Sequence, residues 1–150
     1  GLGKAMATTF SKLGANVIIA SRKQPVIDEA AKEISGISGR PVHAISCDVT
    51  SLDNVKAMLD VIESEFGSPP HVVCNNAAGN FIAPSERLSA NAFARIVDIV
   101  LNGTANVTLE AARRLNAANQ AGVFLAITTT YASSGSGFVL PSACAKAGVK

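Results

Sequence analysis

A single tyrosine and a lysine that follows it are the first candidates for chemistry in this sequence. Tyr131 is the only tyrosine among the 150 residues, and it comes just after the apolar run 123–127. Lys146 lies in a segment opened by Pro141, and proline suits the first turn of a helix. A nearby cation favours phenolate, so such a pair could give or accept a proton near neutral pH. The alternative is a buried tyrosine beside a surface lysine.

Small and polar residues follow two further segments that are predicted to be strands. Asn76-Ala77-Ala78-Gly79 come after the run 71–74, and small side chains there would let a flat cofactor pass close to the backbone. Asn75 is interpreted as structural, joining neighbouring strands through side-chain hydrogen bonds. Asp48 follows the run 42–47. It either accepts a hydrogen bond from the amino group of an adenine or caps the next helix, and the sequence leaves both readings open.

The start of the chain favours a bound phosphate. Gly1-Leu2-Gly3 opens the first predicted helix, and glycine lets a phosphate approach a helix N-terminus, which attracts anions. About 20 residues later, dinucleotide-binding folds place the group that contacts the adenosine ribose. Arg22 and Lys23 lie there, where a carboxylate would favour NAD. Cations bind a 2′-phosphate, so the sequence predicts NADP(H). The alternative is a solvated basic turn.

Apolar periodicity predicts alternating helices and strands. The predicted elements are helix 2–13, strand 15–20, a helix with Val26, Ile27, Ala30 and Ile34 inward, strand 42–49, a helix capped by Thr50 and ending at Gly67, a strand from 71, helix 90–117 capped by Ser89 with Leu109 inward, and strand 122–129. This order predicts an α/β fold, a doubly wound parallel sheet of the Rossmann type with three layers, α/β/α. Ligands of such sheets bind at the carboxyl ends of the strands, where the candidate residues gather.

Composition adds little about partners. The net charge of +2 indicates neither nucleic acid nor membrane, and the three cysteines lack metal-ligand spacing, so no metal site is predicted. The chain opens inside a glycine motif and stops within a predicted helix. We therefore interpret residues 1–150 as a partial NADP-binding Rossmann domain that lacks the first strand and the C-terminal part. Alone, the segment is expected to be inactive and poorly folded, because strands next to the absent strand lose their ladder partners.

Several of these residues resemble the short-chain dehydrogenase/reductase pattern in order and spacing: Gly1-x-Gly3, Asn75-Asn76-Ala77-x-Gly79, Asn102 and Lys146. Ordinary members carry tyrosine four residues before the lysine, where this chain has Ser142. The displaced Tyr131, with Asn75-Asn76-Ala77-Ala78-Gly79-Asn80-Phe81, is similar to the 2,4-dienoyl-CoA reductases of that family, most of all the mitochondrial type. Thr50 stands where that type has an arginine.

The resemblance implies an NADPH-dependent reduction of 2,4-dienoyl-CoA thioesters to 3-enoyl-CoA in β-oxidation, by a homotetramer in the mitochondrial matrix. It also implies an acyl-CoA substrate and no nucleic-acid or membrane partner. Tyr131 and Asn80 would donate to the thioester oxygen. Lys146 would hold the nicotinamide ribose, and Asn102 would bind water or backbone near Lys146. Ser142 offers a hydroxyl nearby. The candidate substrate contacts are Asn80, Phe81, Ser89 and Tyr131, and the candidate cofactor contacts are Gly1, Leu2, Arg22, Lys23, Asp48, Val49, Asn76, Ala77 and Lys146.

Two other functions stay open. One is an NADPH-dependent carbonyl reductase of the same family, against which Ser142 in the tyrosine position argues. The other is a non-catalytic nucleotide-binding protein. The joint presence of Tyr131, Lys146, Asn80 and Arg22 argues against that reading.

Overall fold

The computed structural model describes residues 1–150 as four strands alternating with helices. The elements are α1 Leu2–Lys12, β1 Val17–Ser21, α2 Gln24–Ser38, β2 Val42–Ser46, α3 Leu52–Phe66, β3 Val72–Asn75, a 3-10 turn Ser85–Arg87, α4 Ala90–Val97, a π-helical turn Asp98–Asn102, α5 Gly103–Ala117, β4 Val123–Ala126, α6 Tyr131–Ser134 and α7 Leu140–Val149. None of these helices combines the length and the apolar character that a bilayer crossing needs.

The strands form two parallel pairs. β1 lies beside β2, from Val17 opposite Val42 to Ser21 opposite Ser46. β3 lies beside β4, from Val72 opposite Val123 to Asn75 opposite Ala126. A helix separates successive strands in the chain, as parallel pairing requires. The predicted alternation of strands and helices is confirmed, although the strands are shorter than the apolar runs suggested.

By its contacts the chain divides into two compact units, and the first is Gly1–Asp48. Its core joins Ala7 of α1, Val17 of β1 and Ile34 of α2. The inward face of α2 was predicted partly wrongly, because Val26 is 59% exposed whereas Ala31 is buried. Helix α2 ends at Gly39, whose φ of 71° is a left-handed conformation that glycine adopts without steric cost.

The second unit is Val49–Lys150, in which α3 packs on α5. The cap of α3 was predicted one residue too early. Ser51, not Thr50, accepts a hydrogen bond from the Asn54 amide at 3.2 Å. Asp48, predicted either to contact an adenine or to cap this helix, is not its N-cap residue.

An ion-pair cluster fastens α3 to α5. Arg114 contacts Asp60 at 2.7 Å, Glu63 at 3.2 Å and the buried Glu110 at 3.1 Å. Desolvation acts to lower the pKa of Arg114, but the hydrogen bonds to Asp60, Glu110 and Glu63 outweigh it and raise that pKa. The cluster thus keeps its cation charged and holds the two helices together.

Residues 90–117 form one continuous helix, as predicted, but with a π-helical turn inside it. Ser89 caps its start, its Oγ accepting from the Ala92 amide at 3.1 Å. Ile96 and Val100 pack against Ala145 of α7. Leu109, predicted to point inward, is 64% exposed.

The close packing of Gly103 should make Gly103→Ala destabilising. A Cβ there would lie 2.5 Å from Val49 Cγ2, and the branched valine has little freedom to move away. We expect the free energy of unfolding to fall by about 1–3 kcal/mol. Gly36→Ala, in α2, is the control because a Cβ there meets nothing within 4 Å. It should raise that free energy by about 0.5–1 kcal/mol. Denaturant titration of both variants, in a full-length protein that contains this chain, checks the pair, and a Gly103→Ala protein as stable as the wild type would contradict the packing argument.

Candidate active site

The hydroxyl of Tyr131 meets the hydroxyl of Ser142. Tyr131 begins α6, and four residues separate it from the end of β4, so its predicted position at the end of the strand is wrong by one loop. Pro141 lies in the first turn of α7, as predicted, and places Ser142 on that helix. The Tyr131 Oη and Ser142 Oγ atoms are 3.1 Å apart, and either can donate. Ser142 is only 3% exposed and Tyr131 is half-buried, so the phenol is held from one side and reachable from another.

Lys146 lies four residues after Ser142, on the same face of α7. Its side chain is 3% exposed, and Nζ donates a hydrogen bond to the carbonyl oxygen of Ile127. The reading of a surface lysine is therefore wrong. Burial lowers the pKa of Lys146, because a desolvated ammonium is less favourable than a neutral amine. Its hydrogen-bond partner lies in the segment that connects β4 to Tyr131.

Thr129 is a residue that sequence reasoning missed. It lies in the same connecting segment, and its Oγ1 is buried without a hydrogen-bond partner. Buried polar atoms are rarely left in this condition. The sequence held only an ambiguous signal, because Thr128, Thr129 and Thr130 are three hydroxyls in a row and only the fold distinguishes them.

Asn102 lies at the end of the π-helical turn. Its Nδ2 donates to Asp98 Oδ1 at 2.8 Å, and its side chain is exposed. Such turns interrupt the regular helical ladder and often occur at functional sites. A contact of Asn102 with water or backbone near Lys146 stays a prediction.

The loop after β3 carries the remaining candidates of the second unit. Asn75 donates to Thr108 Oγ1 at 2.9 Å, so it has the predicted structural role but ties its strand to α5 rather than to another strand. A Cβ on Gly79 would lie 3.4 Å from Ile96 Cδ1, which shows how closely this loop follows α4. Three candidates on the loop are exposed, namely Ala77, Asn80 and Phe81, whereas Asn76 is partly buried. No hydrogen bond joins Asn80 to Tyr131.

The candidates of the first unit lie at strand and helix ends. Gly1 is the N-cap of α1, whose first turn has neither a side-chain cap nor an acidic residue. Arg22 and Lys23 are exposed between β1 and α2. Asp48 follows the buried Cys47, and burial followed by the charge of Asp48 raises the pKa of that thiol.

Val49, the first residue of the second unit, has contacts of its own. Its carbonyl oxygen accepts from Asn106 Nδ2 at 2.9 Å, and its side chain faces Gly103. These contacts fix the backbone next to the predicted cofactor residue Asp48.

The sequence pattern of short chain dehydrogenases matches residues 1–150. The chain belongs to the short-chain dehydrogenase family. Among curated relatives in the family, an uncharacterized oxidoreductase of Caenorhabditis elegans is 47% identical and a probable 2,4-dienoyl-CoA reductase 3 of the same organism is 44% identical, each over all of this chain and 48% of its own length. A peroxisomal 2,4-dienoyl-CoA reductase of Rattus norvegicus is 36% identical over 99% of this chain and 50% of its own.

Solved structures of the family agree. A crystal structure of a short chain dehydrogenase from Bacillus anthracis has a TM-score of 0.93 and 38% identity, over 99% of this chain and 59% of that one. The predicted α/β fold of the Rossmann type and the predicted short-chain dehydrogenase membership are confirmed. The chain spans about half the length of the curated relatives it matches.

Proposed function

We propose that the protein reduces 2,4-dienoyl-CoA thioesters to 3-enoyl-CoA with NADPH. One observation carries the proposal: the hydroxyl of Tyr131 reaches Ser142, which occupies the position of the family's ordinary tyrosine, four residues before Lys146. The phenol of Tyr131 thus lies beside the position on α7 that the tyrosine of ordinary family members occupies, although it comes from an earlier part of the chain. Relatives named 2,4-dienoyl-CoA reductase support the substrate class.

The residues present suit NADP(H). The uncapped first turn of α1 leaves amide groups for a phosphate at Gly1 and Leu2. Arg22 and Lys23, both exposed, suit a 2′-phosphate. Asp48, Val49, Asn76, Ala77 and Lys146 complete the proposed contacts. When bound, NADPH supplies the hydride that ends on the δ carbon of the dienoyl group, and the proton that completes the reduction goes to the α carbon.

The chain's own groups would stabilise the charge that develops on the thioester oxygen. Tyr131 and Asn80 are the proposed donors, since preorganised donors aimed at a developing oxyanion lower the barrier. In that arrangement Ser142 donates to Tyr131 Oη and orients it, while Tyr131 donates to the substrate. Lys146 adds a positive charge on the same face of α7. Asn102 would support Lys146, and Phe81 and Ser89 would contact the substrate.

The setting of the reaction is also a proposal. A 3-enoyl-CoA product suits β-oxidation of unsaturated fatty acids, and we propose a homotetramer in the mitochondrial matrix. The peroxisomal relative makes the peroxisome the alternative compartment.

The substrate test is a comparison of NADPH oxidation in a full-length protein that contains this chain. A 2,4-dienoyl-CoA should be reduced, whereas a simple ketone should not, because Ser142 replaces the tyrosine of ordinary carbonyl reductases. Preferential reduction of the ketone would favour the carbonyl reductase. Binding of NADPH without turnover of either compound would favour a nucleotide-binding protein.

Arg22 should set the preference for NADPH. Charge-assisted hydrogen bonds to the phosphate contribute about 1.5–3 kcal/mol, so Arg22→Ala should raise the KM for NADPH about tenfold or more. The KM for NADH should stay nearly unchanged, since NADH lacks that phosphate. Steady-state kinetics with both cofactors make the test. Equal effects on the two would contradict the assignment, and Arg40→Ala, which removes another exposed arginine of the same unit, is the matched control.

A further inference from the structure

Two loops of the second unit expose apolar side chains. Phe81 and Ile82 follow β3 and are 46% and 82% exposed, whereas Phe138 and Leu140 precede or begin α7 and are 57% and 40% exposed. We call these four residues the apolar loop patch. Large apolar residues that gather at the surface often mark a binding site.

A backbone hydrogen bond holds the two loops together. The amide of Ala83 donates to the carbonyl oxygen of Phe138 at 3.0 Å. The loops are far apart in the chain, and this bond places the residues next to Ala83 beside those next to Phe138. The four exposed side chains therefore belong to one region of the surface.

Phe138 combines two unfavourable conditions. Its φ of 66° lies in the left-handed region, which bulky residues rarely adopt, and its ring is largely exposed to water. Glycine or asparagine would relieve the backbone strain, and a polar residue would relieve the exposure. Strain of this kind clusters at ligand-binding sites, and a ligand that covers the ring would remove its exposure to water.

The patch borders the proposed donors. Asn80 directly precedes Phe81 in one loop, and Ser142, bonded to Tyr131, comes two residues after Leu140 in α7. The first loop thus carries the proposed donor Asn80 next to exposed apolar groups, and the second leads into the helix whose Ser142 bonds the other proposed donor, Tyr131. The patch contains no charged residue, so it suits a hydrocarbon rather than the phosphates of coenzyme A.

We propose that the apolar loop patch binds the hydrocarbon tail of the acyl-CoA substrate, and that Phe138 sets a preference for longer chains. The inference rests on the proposed function. Each methylene buried against the patch should raise kcat/KM about fourfold, until the patch is covered. The side chain of Phe138, and not its unusual backbone, is the part that acts.

The test compares 2,4-hexadienoyl-CoA with 2,4-decadienoyl-CoA in a full-length protein that contains this chain. The ratio of kcat/KM, long chain over short, should fall about tenfold or more in Phe138→Ala and stay near the wild-type value in Phe138→Leu. Phe138→Asn, which tolerates a positive φ but is polar, should behave like the alanine variant. Phe10→Ala, which removes a partly exposed phenylalanine of α1, should leave the ratio unchanged.

The outcomes separate cleanly. A wild-type protein that reduces neither thioester refutes the proposed function itself. The role of the patch is overturned if the wild type is active but Phe138→Ala leaves the ratio of kcat/KM unchanged, including the case in which it lowers kcat/KM equally for both substrates. If Phe138→Asn keeps the wild-type ratio, the backbone rather than the ring matters, and the inference is wrong. Should the Phe138 variants fail to fold, Ile82→Ala in the other loop must lower the ratio by itself, and an unchanged ratio there overturns the proposal.

Discussion

Turnover of a 2,4-dienoyl-CoA should fall by about 10²–10³ when Tyr131 is replaced by phenylalanine, the usual loss when one oxyanion donor is removed. The substitution removes one hydroxyl and keeps the ring. The phosphate and ribose contacts proposed for NADPH involve other residues, so the Kd for NADPH should persist. Single-turnover rates at saturating NADPH, in a full-length protein that contains this chain, measure the chemical step directly.

Ser142→Ala is the matched control, because it removes the other hydroxyl of the 3.1 Å pair. We expect a much smaller loss, since Tyr131 keeps its hydroxyl group and loses only an orienting partner. The double variant should be about as slow as Tyr131→Phe alone, because the serine acts through the tyrosine. The opposite pattern, in which Ser142→Ala abolishes turnover and Tyr131→Phe stays near the wild type, would give the acid role to Ser142 and refute the assignment of Tyr131.

Lys146→Ala should impair both cofactor binding and turnover. Loss of the proposed charge-assisted hydrogen bond from Lys146 to the nicotinamide ribose should weaken NADPH binding about tenfold to a hundredfold. Loss of the positive charge on the Tyr131 side of α7 should lower turnover by about 10² at saturating NADPH. Lys150→Ala is the control, since Lys150 is an exposed lysine of the same helix segment that bonds Ser133 Oγ at 2.7 Å. Equal effects of the two substitutions would contradict a special role for Lys146.

The pH profile offers a second readout of Lys146. Burial lowers its pKa, so the alkaline loss of activity should begin at a lower pH than an ordinary lysine would give. Lys146→Arg, which stays charged, should move that loss to higher pH if the variant binds NADPH. The effect of Lys146 on stability as pH rises is opposite in sign to that of a lysine in a salt bridge, whose pKa is raised by folding. The unfolded chain binds the proton more tightly, so the free energy of unfolding should rise with pH between the folded and the unfolded pKa.

Local patterns predicted the helices and strands well because each depends on neighbours in the sequence. Pro141 at the start of α7 and Ser89 at the start of α4 are confirmed, since a ring without an N–H and a capping hydroxyl act within one turn. The inward faces of Val26 and Leu109 were wrong, because periodicity shows which residues could avoid water but not which neighbour covers them. Each predicted strand is present in the structure, but the predicted ends of the strands were wrong.

The candidate site depended on contacts that no local pattern contains. The sequence predicted that Tyr131 and Lys146 lie close together. In the structure Tyr131 is hydrogen-bonded to Ser142, and Lys146 donates to the carbonyl oxygen of Ile127. The hydroxyl of Thr129 is buried without a hydrogen-bond partner, a property that depends on the tertiary fold around its loop. The family motifs identified which residues matter, but the hydrogen bonds among them required the tertiary fold.

The π-helical turn has a consequence for how this protein can change in length. In the π-helical turn Asp98–Asn102, each hydrogen bond spans one residue more than in an α-helix. The turn therefore accommodates one extra residue while α4 and α5 keep their relative orientation about the helix axis. Deleting one residue there would let α4 and α5 join as an ordinary α-helix that presents the same faces to α7 and α3. The same deletion one turn away, inside α5, would swing Glu110 and Arg114 off α3. Single-residue deletions in this long helix should therefore be tolerated only in the π-helical turn Asp98–Asn102. Such a deletion would also change the position of Asn102.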